Sequence, residues 1–479
     1  MRLSHGDHAP IVILGAGPAG LAAAWECSLA GRPVVLVEKA AQAGGLCATA
    51  ERDGFRFDLG GHRIISQHED LVARIAALLG PDLLVRSRRS VICLGGRRYA
   101  YPLEARDLVR TLPPGVALDA LADYAVAAVR RSALPREALT FEEWVTDRFG
   151  RTLYDLFFGP YTQKLWGRDP AQLSADWAAQ RISLLNLADV GLRLVGLRHG
   201  GARTYARRYH YPRLGIGMLF ERLLEHLLAR GVRFVGGADV VALERDERHV
   251  SAVIVRTGQA AERIPCASVI STMPLPELAR LCEVPDVALE AAERLGWRGM
   301  RFLNFMLRGA PLSDATWTYV GDADLVMTRI QEPIQRSPEM APPGCTSAML
   351  EIPADPGESA WEASDAALAE RALADLARVG FDVGSRVLGC FSTRTRDAYP
   401  VYHLGYRADR ERVLDAIGRF ENLHPCGRQG LFRYVFMDTA MEMGSACART
   451  AIAGARARWR AVMDLDAHPR LQETRAVTA

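Results

Sequence analysis

The residues best suited to chemistry in this chain of 479 residues form a glycine-rich unit near its start. It runs Gly15-Ala16-Gly17-Pro18-Ala19-Gly20, and Glu38 and Lys39 follow. Gly15 suits the turn itself, Gly17 lets a pyrophosphate approach the backbone, and Gly20 lets a helix pack closely on a strand. A helix starting there offers free N–H groups and about half a positive charge to phosphates. Glu38 stands 18 residues after Gly20, where a carboxylate accepts hydrogen bonds from ribose hydroxyls and repels a 2′-phosphate. The spacing predicts a bound dinucleotide and disfavours NADP. Two further glycine pairs, Gly44-Gly45 and Gly60-Gly61, supply the missing side chains that let backbone lie against a flat ligand. His62 follows the second pair, and two readings are open for it: it faces that ligand, or it only bonds backbone. Near the C-terminus, Asp438-Thr439 reads as an N-cap pair for a helix over residues 440–460.

These residues need elements to hold them. The apolar run 11–14, the Ala/Leu-rich stretch ending at Gly31 and the run 34–37 read as strand, helix, strand around the glycine turn. Residues 70–211 alternate helical stretches with aromatic-rich loops and suggest an inserted substrate domain. An amphipathic helix over residues 217–230 is stopped by Gly231, and strand-like runs follow at 232–235, 239–244, 250–256 and 267–272. The expected fold is therefore α/β. Its nucleotide-binding domain is discontinuous over residues 8–75, 212–289 and 386–462, a substrate-binding domain comprises 76–211 and 290–385, and a flexible tail covers 463–479. No internal repeat or low-complexity tract is present.

Composition sets the outer bounds. Lys plus Arg is 59 and Asp plus Glu is 56, so a net charge of +3 gives no field that implies nucleic-acid binding. The 9 cysteines include no CxxC and no Cys/His cluster at metal-ligand spacing, so no metal site is expected and the cysteines read as reduced core thiols of a cytoplasmic protein. No run approaches the ~20 apolar residues of a membrane span. Peripheral membrane contact stays open, because residues 118–129 are apolar enough to touch lipid, although packing in a core is the commoner use of such a stretch. No Ser/His/Asp set or paired-carboxylate signature supports a hydrolase.

Several stretches taken together carry a resemblance. They are the opening unit; residues 55–62, Phe-Arg-Phe-Asp-Leu-Gly-Gly-His; residues 159–167, Gly-Pro-Tyr-Thr-Gln-Lys-Leu-Trp-Gly; residues 271–274, Ser-Thr-Met-Pro; and residues 427–434, Gly-Arg-Gln-Gly-Leu-Phe-Arg-Tyr, with Asp438 after them. Over about residues 10–460 the sequence resembles the FAD-dependent flavoproteins grouped with UDP-galactopyranose mutase and, more distantly, protoporphyrinogen oxidase and the amine oxidases. The resemblance implies a Rossmann-like domain of the GR2 type that binds FAD extended, with a helical and mixed substrate domain over the isoalloxazine. It implies cofactor contacts from Gly15, Gly17, Gly20, Glu38, Lys39, Gly44, Gly45, Gly60, Gly61, His62, Val240, Gly427, Arg428, Asp438 and Thr439. It further implies substrate contacts from Tyr161, Trp166, Arg298 and Tyr434, with His62, Arg298 and Arg428 at the chemistry. Tyr161 and Trp166 could instead be core aromatics, and Lys164 either a surface ion pair or an anion contact.

The sequence also departs from the mutase pattern. The mutase has an aspartate eight residues after the arginine that Arg428 matches, and here that position is Phe436 while Asp438 comes two residues late. A second histidine after the one matching His62 is also missing. The leading expectation is an FAD-dependent oxidoreductase acting on a small molecule, a sugar or activated sugar. The alternative is a nucleotide-sugar mutase in which Arg298 and Arg428 clamp a diphosphate, and the blandest reading is a flavin-bound scaffold. A homodimer is compatible with either catalytic reading.

Overall fold

The computed structural model describes residues 9–66, 68–101, 111–133, 136–181 and 208–455, so the expected tail over 463–479 lies outside the described residues. The chain opens with β1 (Ile11–Leu14), α1 (Pro18–Leu29) and β2 (Val34–Glu38). Pro18 starts α1 well because its fixed φ suits a first helical position and it has no N–H to leave unpaired. A hairpin of β3 (Thr49–Arg52) and β4 (Phe55–Asp58) leads to α2 (Glu69–Leu79), then β5 (Leu83–Ser87), β6 (Ser90–Leu94) and β7 (Arg97–Ala100). The helical part contains α3 (Pro114–Ala133), α4 (Phe141–Phe149) and α5 (Gly159–Trp166). A capping box starts α4: the Thr140 side chain accepts from the Glu143 N–H, and the Glu143 carboxylate accepts from the Thr140 N–H.

The chain returns through β8 (Arg208–Pro212) and α6 (Gly217–Ala229) to β9 (Arg233–Gly236), and continues as β10 (Asp239–Arg245), β11 (Val250–Thr257), β12 (Ala260–Pro265) and β13 (Ser268–Ser271). Then follow β14 (Trp297–Arg308), β15 (Trp317–Val320), β16 (Arg329–Gln331), β17 (Cys345–Pro353), α7 (Asp365–Arg378), β18 (Val387–Pro400), α8 (Tyr406–Ile417), β19 (Leu423–Pro425) and α9 (Met437–Ile452).

Two sheets matter for the site. The first is five-stranded and parallel, in the order β19-β13-β1-β2-β9. All four residues of β1 and of β13 are buried, as expected of parallel strands covered on both faces. Helix α9 crosses α1 so closely that a Cβ on Gly444 would stand 1.9 Å from the Ala19 carbonyl oxygen. The second sheet is seven-stranded, in the order β18-β14-β17-β16-β15-β6-β7. Leu303, Phe305, Ile330, Leu350 and Ile352 point from it to α7, while Phe302, Met306 and Met349 point to Phe55 and Phe57 of β4. This fold is the expected α/β arrangement with a parallel nucleotide-binding sheet. Two details differ. Strand β12, exposed at most positions, was not foreseen and completes the meander β10-β11-β12. The segment expected to rejoin the nucleotide-binding part at residue 386 first adds β18 to the seven-stranded sheet, and the parallel sheet is regained only at β19.

Candidate functional site

The glycine unit forms a cradle at the ends of β1 and β13. Gly15 has φ +100°, and a Cβ there would stand 2.2 Å from Thr272 Oγ1. A Cβ on Gly20 would lie 1.8 Å from the Gly15 carbonyl oxygen, which is the close helix–strand contact its position implies. Gly17 is different, because no atom lies within 4 Å of where its Cβ would be. It caps α1 without any side-chain hydrogen bond, so the first-turn N–H groups face open space. Gly45 lies against Gly17, and Gly44 is left-handed with φ +115°. The Glu38 carboxylate accepts from the Ala16 N–H at 2.6 Å and from the Ala40 N–H at 2.9 Å, which fixes it at the end of β2 beside the loop. Val240 is half-buried in β10, opposite Val255. Lys39 departs from expectation: its side chain is 79% exposed and pairs with Asp239.

The late stretch packs on the same loop. A Cβ on Gly427 would be 2.9 Å from the Ala19 Cβ, and one on Gly430 would be 2.7 Å from the Ser271 carbonyl oxygen. The helix expected to begin at residue 440 begins at Met437 with Phe436 as its N-cap, because Phe436 holds the extended conformation that ends the preceding loop. Asp438 and Thr439 are therefore buried first-turn residues of α9 rather than its caps. Burial raises the Asp438 carboxyl to about 6, and its Oδ2 has no hydrogen-bond partner. The buried Ser271 hydroxyl at the end of β13 is likewise unpaired. Open space above Gly17, bare N–H groups at α1 and orphaned polar atoms at Asp438 and Ser271 fit a bound dinucleotide such as FAD.

His62 lies where the cradle meets the seven-stranded sheet. Its half-buried ring leaves Nδ1 without a partner. Burial, followed by the charges of Arg428, Arg336 and Arg329, lowers its pKa to about 3, so the imidazole is neutral. Strand pairing sets Phe302, Glu351, Arg329 and Tyr319 side by side on β14, β17, β16 and β15. This row approaches the glycine pair before His62: a Cβ on Gly61 would be 3.4 Å from Arg329 Nη1, and one on Gly60 would be 3.8 Å from Glu351 Oε1. Arg329 donates to Glu351, Gln331 donates to Glu351, and Arg336 donates to Gln331. Arg336 is fully buried, stacks over Trp317 at 5.5 Å, and leaves Nε and Nη1 without acceptors. Arg329 leaves Nε without one.

Aromatic groups close the other side. Arg428 donates to the carbonyls of Ala398 at 3.0 Å and Val435 at 2.7 Å, and lies 4.4 Å over the Tyr434 ring. Tyr434 stacks on Tyr399 at 5.6 Å, and Trp166 meets Tyr399 edge-on at 6.1 Å. Trp166 is 1% exposed with its indole N–H unpaired. Tyr161 meets Tyr319 edge-on at 6.4 Å, and burial raises its hydroxyl pKa, so it stays a hydrogen-bond donor. Lys164 donates to the Asp322 carbonyl at 2.8 Å, and burial lowers its pKa to about 8, which makes it a packed connector rather than a surface ion pair.

Arg298 does not join this group. It is buried, and its donors reach the Leu165 and Pro353 carbonyls, both Glu358 oxygens and Asp355. Those acceptors account for its five N–H groups, so Arg298 fastens the end of α5 to the end of β17 and leaves nothing for a substrate phosphate. The structure places Arg329 and Arg336 near His62, and Tyr319, Tyr399 and Glu351 near Tyr161, and none of them was picked out from sequence. A signal was present for one of them: Glu351 stands between Leu350 and Ile352 in a run that otherwise reads largely as core.

Comparison with known proteins accords with this geometry. The family model described as flavin containing amine oxidoreductase matches residues 18–452. A crystal structure of reduced UDP-galactopyranose mutase superposes with a TM-score of 0.84, at 22% identity, covering 98% of this chain and 100% of that one. A coproporphyrinogen III oxidase of Propionibacterium freudenreichii subsp. freudenreichii is 24% identical over 297 residues, 51% of this chain and 54% of that protein. An inactive all-trans-retinol 13,14-reductase of Danio rerio is 37% identical over 76 residues, 16% of this chain. The matched regions span 13% and 54% of the lengths of these two curated relatives.

Proposed function

The chain belongs to the flavin-containing amine oxidoreductase family, and from that premise we propose an FAD-dependent oxidoreductase whose substrate is a small anionic molecule of the activated-sugar class. One observation carries the reading: the row Glu351, Arg329 and Tyr319 approaches the Gly60-Gly61 pair, with Arg336 and Arg428 close enough to act on His62. This wall is cationic and aromatic. An apolar substrate would leave the open donors of Arg329 and Arg336 unmet, at a cost of roughly 1–3 kcal/mol for each buried group.

When bound, FAD supplies hydride transfer to or from a substrate carbon. The chain's own residues hold and orient. Gly15, Gly17 and the first turn of α1 would receive the pyrophosphate, Glu38 the ribose, and Asp438 with the N-terminus of α9 the flavin end, where the helix dipole favours negative charge. Arg329 and Arg336 hold substrate anion, and Tyr161 donates a hydrogen bond. Tyr434 and Tyr399, stacked on each other with Trp166 edge-on to Tyr399, supply aromatic surface suited to the apolar face of a sugar ring or base. His62 orients through Nδ1 and carries no charge at neutral pH.

Anaerobic mixing tests the proposal. UDP- or dTDP-hexoses should bleach the flavin absorbance of the loaded protein, whereas bleaching by apolar donors alone overturns it. A mutase acting on the same sugars would need two arginines at contact distance from a diphosphate. Arg298, bonded to Asp355 and Glu358, is not one of them; Arg329 and Arg336 would serve either reaction, and the match to flavin containing amine oxidoreductases is what keeps oxidoreduction ahead. Isomer formed by dithionite-reduced protein without net redox would reverse that order.

A further inference from the structure

Helix α3 is covered on one side only. Its buried residues are Ala117, Ala120 and Ala127. On the other side Leu118, Leu121, Val126 and Val129 are 68%, 50%, 66% and 70% exposed. At 100° per residue these four, with Ala122 and Ala125, fall within an arc of roughly 140° that contains no charged side chain. They are four of the eleven large hydrophobic residues exposed among the described residues, and Leu139, next to the cap of α4, is 69% exposed. A surface helix ordinarily turns its charged residues to water, so this face is built for something other than water. The stretch that the sequence left between core and lipid is thus turned outward.

We propose that α3 seats this protein on the surface of a membrane containing anionic lipid, lying in the boundary between headgroups and acyl chains. The inference is independent of the proposed substrate. No helix among the described residues is long and apolar enough to cross a membrane, so the contact is with one leaflet. Charge points to lipid: Arg130 and Arg131 are exposed in the last turn, whereas Arg136, just beyond, is neutralised by Asp147. Of the two acidic residues on α3, Asp123 is turned inward, accepting from the Thr152 N–H and hydroxyl, which leaves Asp119 as the one outward acid on the helix against Arg130 and Arg131. Area points the same way. The four aliphatic side chains expose roughly 400 Å², about half of the ~800 Å² per partner typical of a stable protein interface. The arc also lacks the Trp, Tyr or Arg anchors around which protein interfaces are organised.

Flotation of the full-length, FAD-loaded protein tests this, with vesicles of phosphatidylcholine alone and with about 30% phosphatidylglycerol. The protein should float with the anionic vesicles, less so as salt rises. Leu118→Glu combined with Val129→Glu changes only exposed positions and should cut the floated fraction about ten-fold at unchanged FAD content and melting temperature. Arg130→Ala with Arg131→Ala should weaken anionic-vesicle binding about three-fold and leave neutral-vesicle binding unchanged. The proposal is overturned if the protein stays at the bottom of both gradients, or if the glutamate variant floats like the parent. It is also overturned if the parent sediments as a dimer that the glutamate variant dissociates while flotation is unaltered, since a second copy would then cover the face.

Discussion

The cradle around Gly15–Gly20 and the side-chain wall on β15, β16 and β17 meet at His62, yet they are specified by different means. The cradle is made by backbone: its working parts are a turn with φ +100°, an empty position at Gly17 and unpaired N–H groups at the start of α1. The wall is made by side chains: Tyr319, Arg329 and Glu351 are neighbours only because three strands pair in one register. A site built from backbone tolerates no added atoms but is indifferent to most side-chain chemistry. A site built from buried charges tolerates no unbalanced removal, because each charge depends on a partner taken out of water with it.

The largest effect should come from adding atoms to the cradle. Gly20→Val places a Cβ 1.8 Å from the Gly15 carbonyl oxygen, so it should destabilise by more than about 4 kcal/mol and yield little soluble protein. Soluble, yellow Gly20→Val protein would break the contrast at once. Next comes the wall. Arg329→Leu leaves Glu351 buried without its cation and should cost about 3–5 kcal/mol in urea denaturation. Adding Glu351→Gln should restore at least half of that stability without restoring substrate binding. If the double variant is no more stable than the single one, the pair is not the unit argued for here.

The difference in construction also decides what could be read from sequence. The strand–turn–helix–strand unit declares itself because every requirement falls within about thirty consecutive positions and each is a demand on backbone geometry that glycine alone meets cheaply. The wall is hidden because its members stand at 302, 319, 329 and 351 and become neighbours only through strand register. Arg298 shows the converse. Resemblance made it a phosphate ligand, but Asp355 and Glu358, far along the chain, occupy it. Asp438 and Thr439 were assigned to the right helix and one turn out, since Phe436 takes the cap conformation without a capping side chain. Strand β12 was missed because most of its residues face water and carry no apolar alternation.

Two predictions of intermediate size sharpen the contrast within the cradle itself. Gly17 has φ −78°, a value open to any residue, and nothing occupies the space beside it. Gly17→Val should therefore melt like the parent without FAD, yet bind FAD about 100-fold more weakly, or about 2.7 kcal/mol. A loss of stability equal to the loss of affinity would mean that the loop serves the fold rather than a ligand. Asp438 is the one buried charge the cradle does contain. Its folded pKa of about 6 lies above the ordinary aspartate value of 3.8, so its contribution to stability is fully present below 3.8 and lost as pH rises through 6. Asp438→Asn should consequently gain on the FAD-free parent by on the order of 2–3 kcal/mol between pH 4 and pH 8, measured as the difference between their denaturation midpoints. A pH-independent difference would remove the carboxyl from the balance.

The smallest effect should come from Lys39, the cradle position whose side chain the structure turns away. Its side chain is 79% exposed and that of its partner Asp239 is 49% exposed, with the ammonium 3.3 Å from the carboxylate. Exposed pairs of this kind contribute about 0–1 kcal/mol because water screens them and the long side chain gives up rotamer freedom to make them. Lys39→Ala should thus change neither stability by more than about 0.5 kcal/mol nor FAD affinity by more than about two-fold. Because the cradle works through backbone, the substitution keeps everything the ligand would touch at that position, and Glu38 stays fixed by the Ala16 and Ala40 N–H groups. A ten-fold loss of affinity in Lys39→Ala, restored by arginine, would show that a side-chain charge reaches the cofactor after all, and the division between a backbone-built cradle and a side-chain-built wall would fail at its most exposed point.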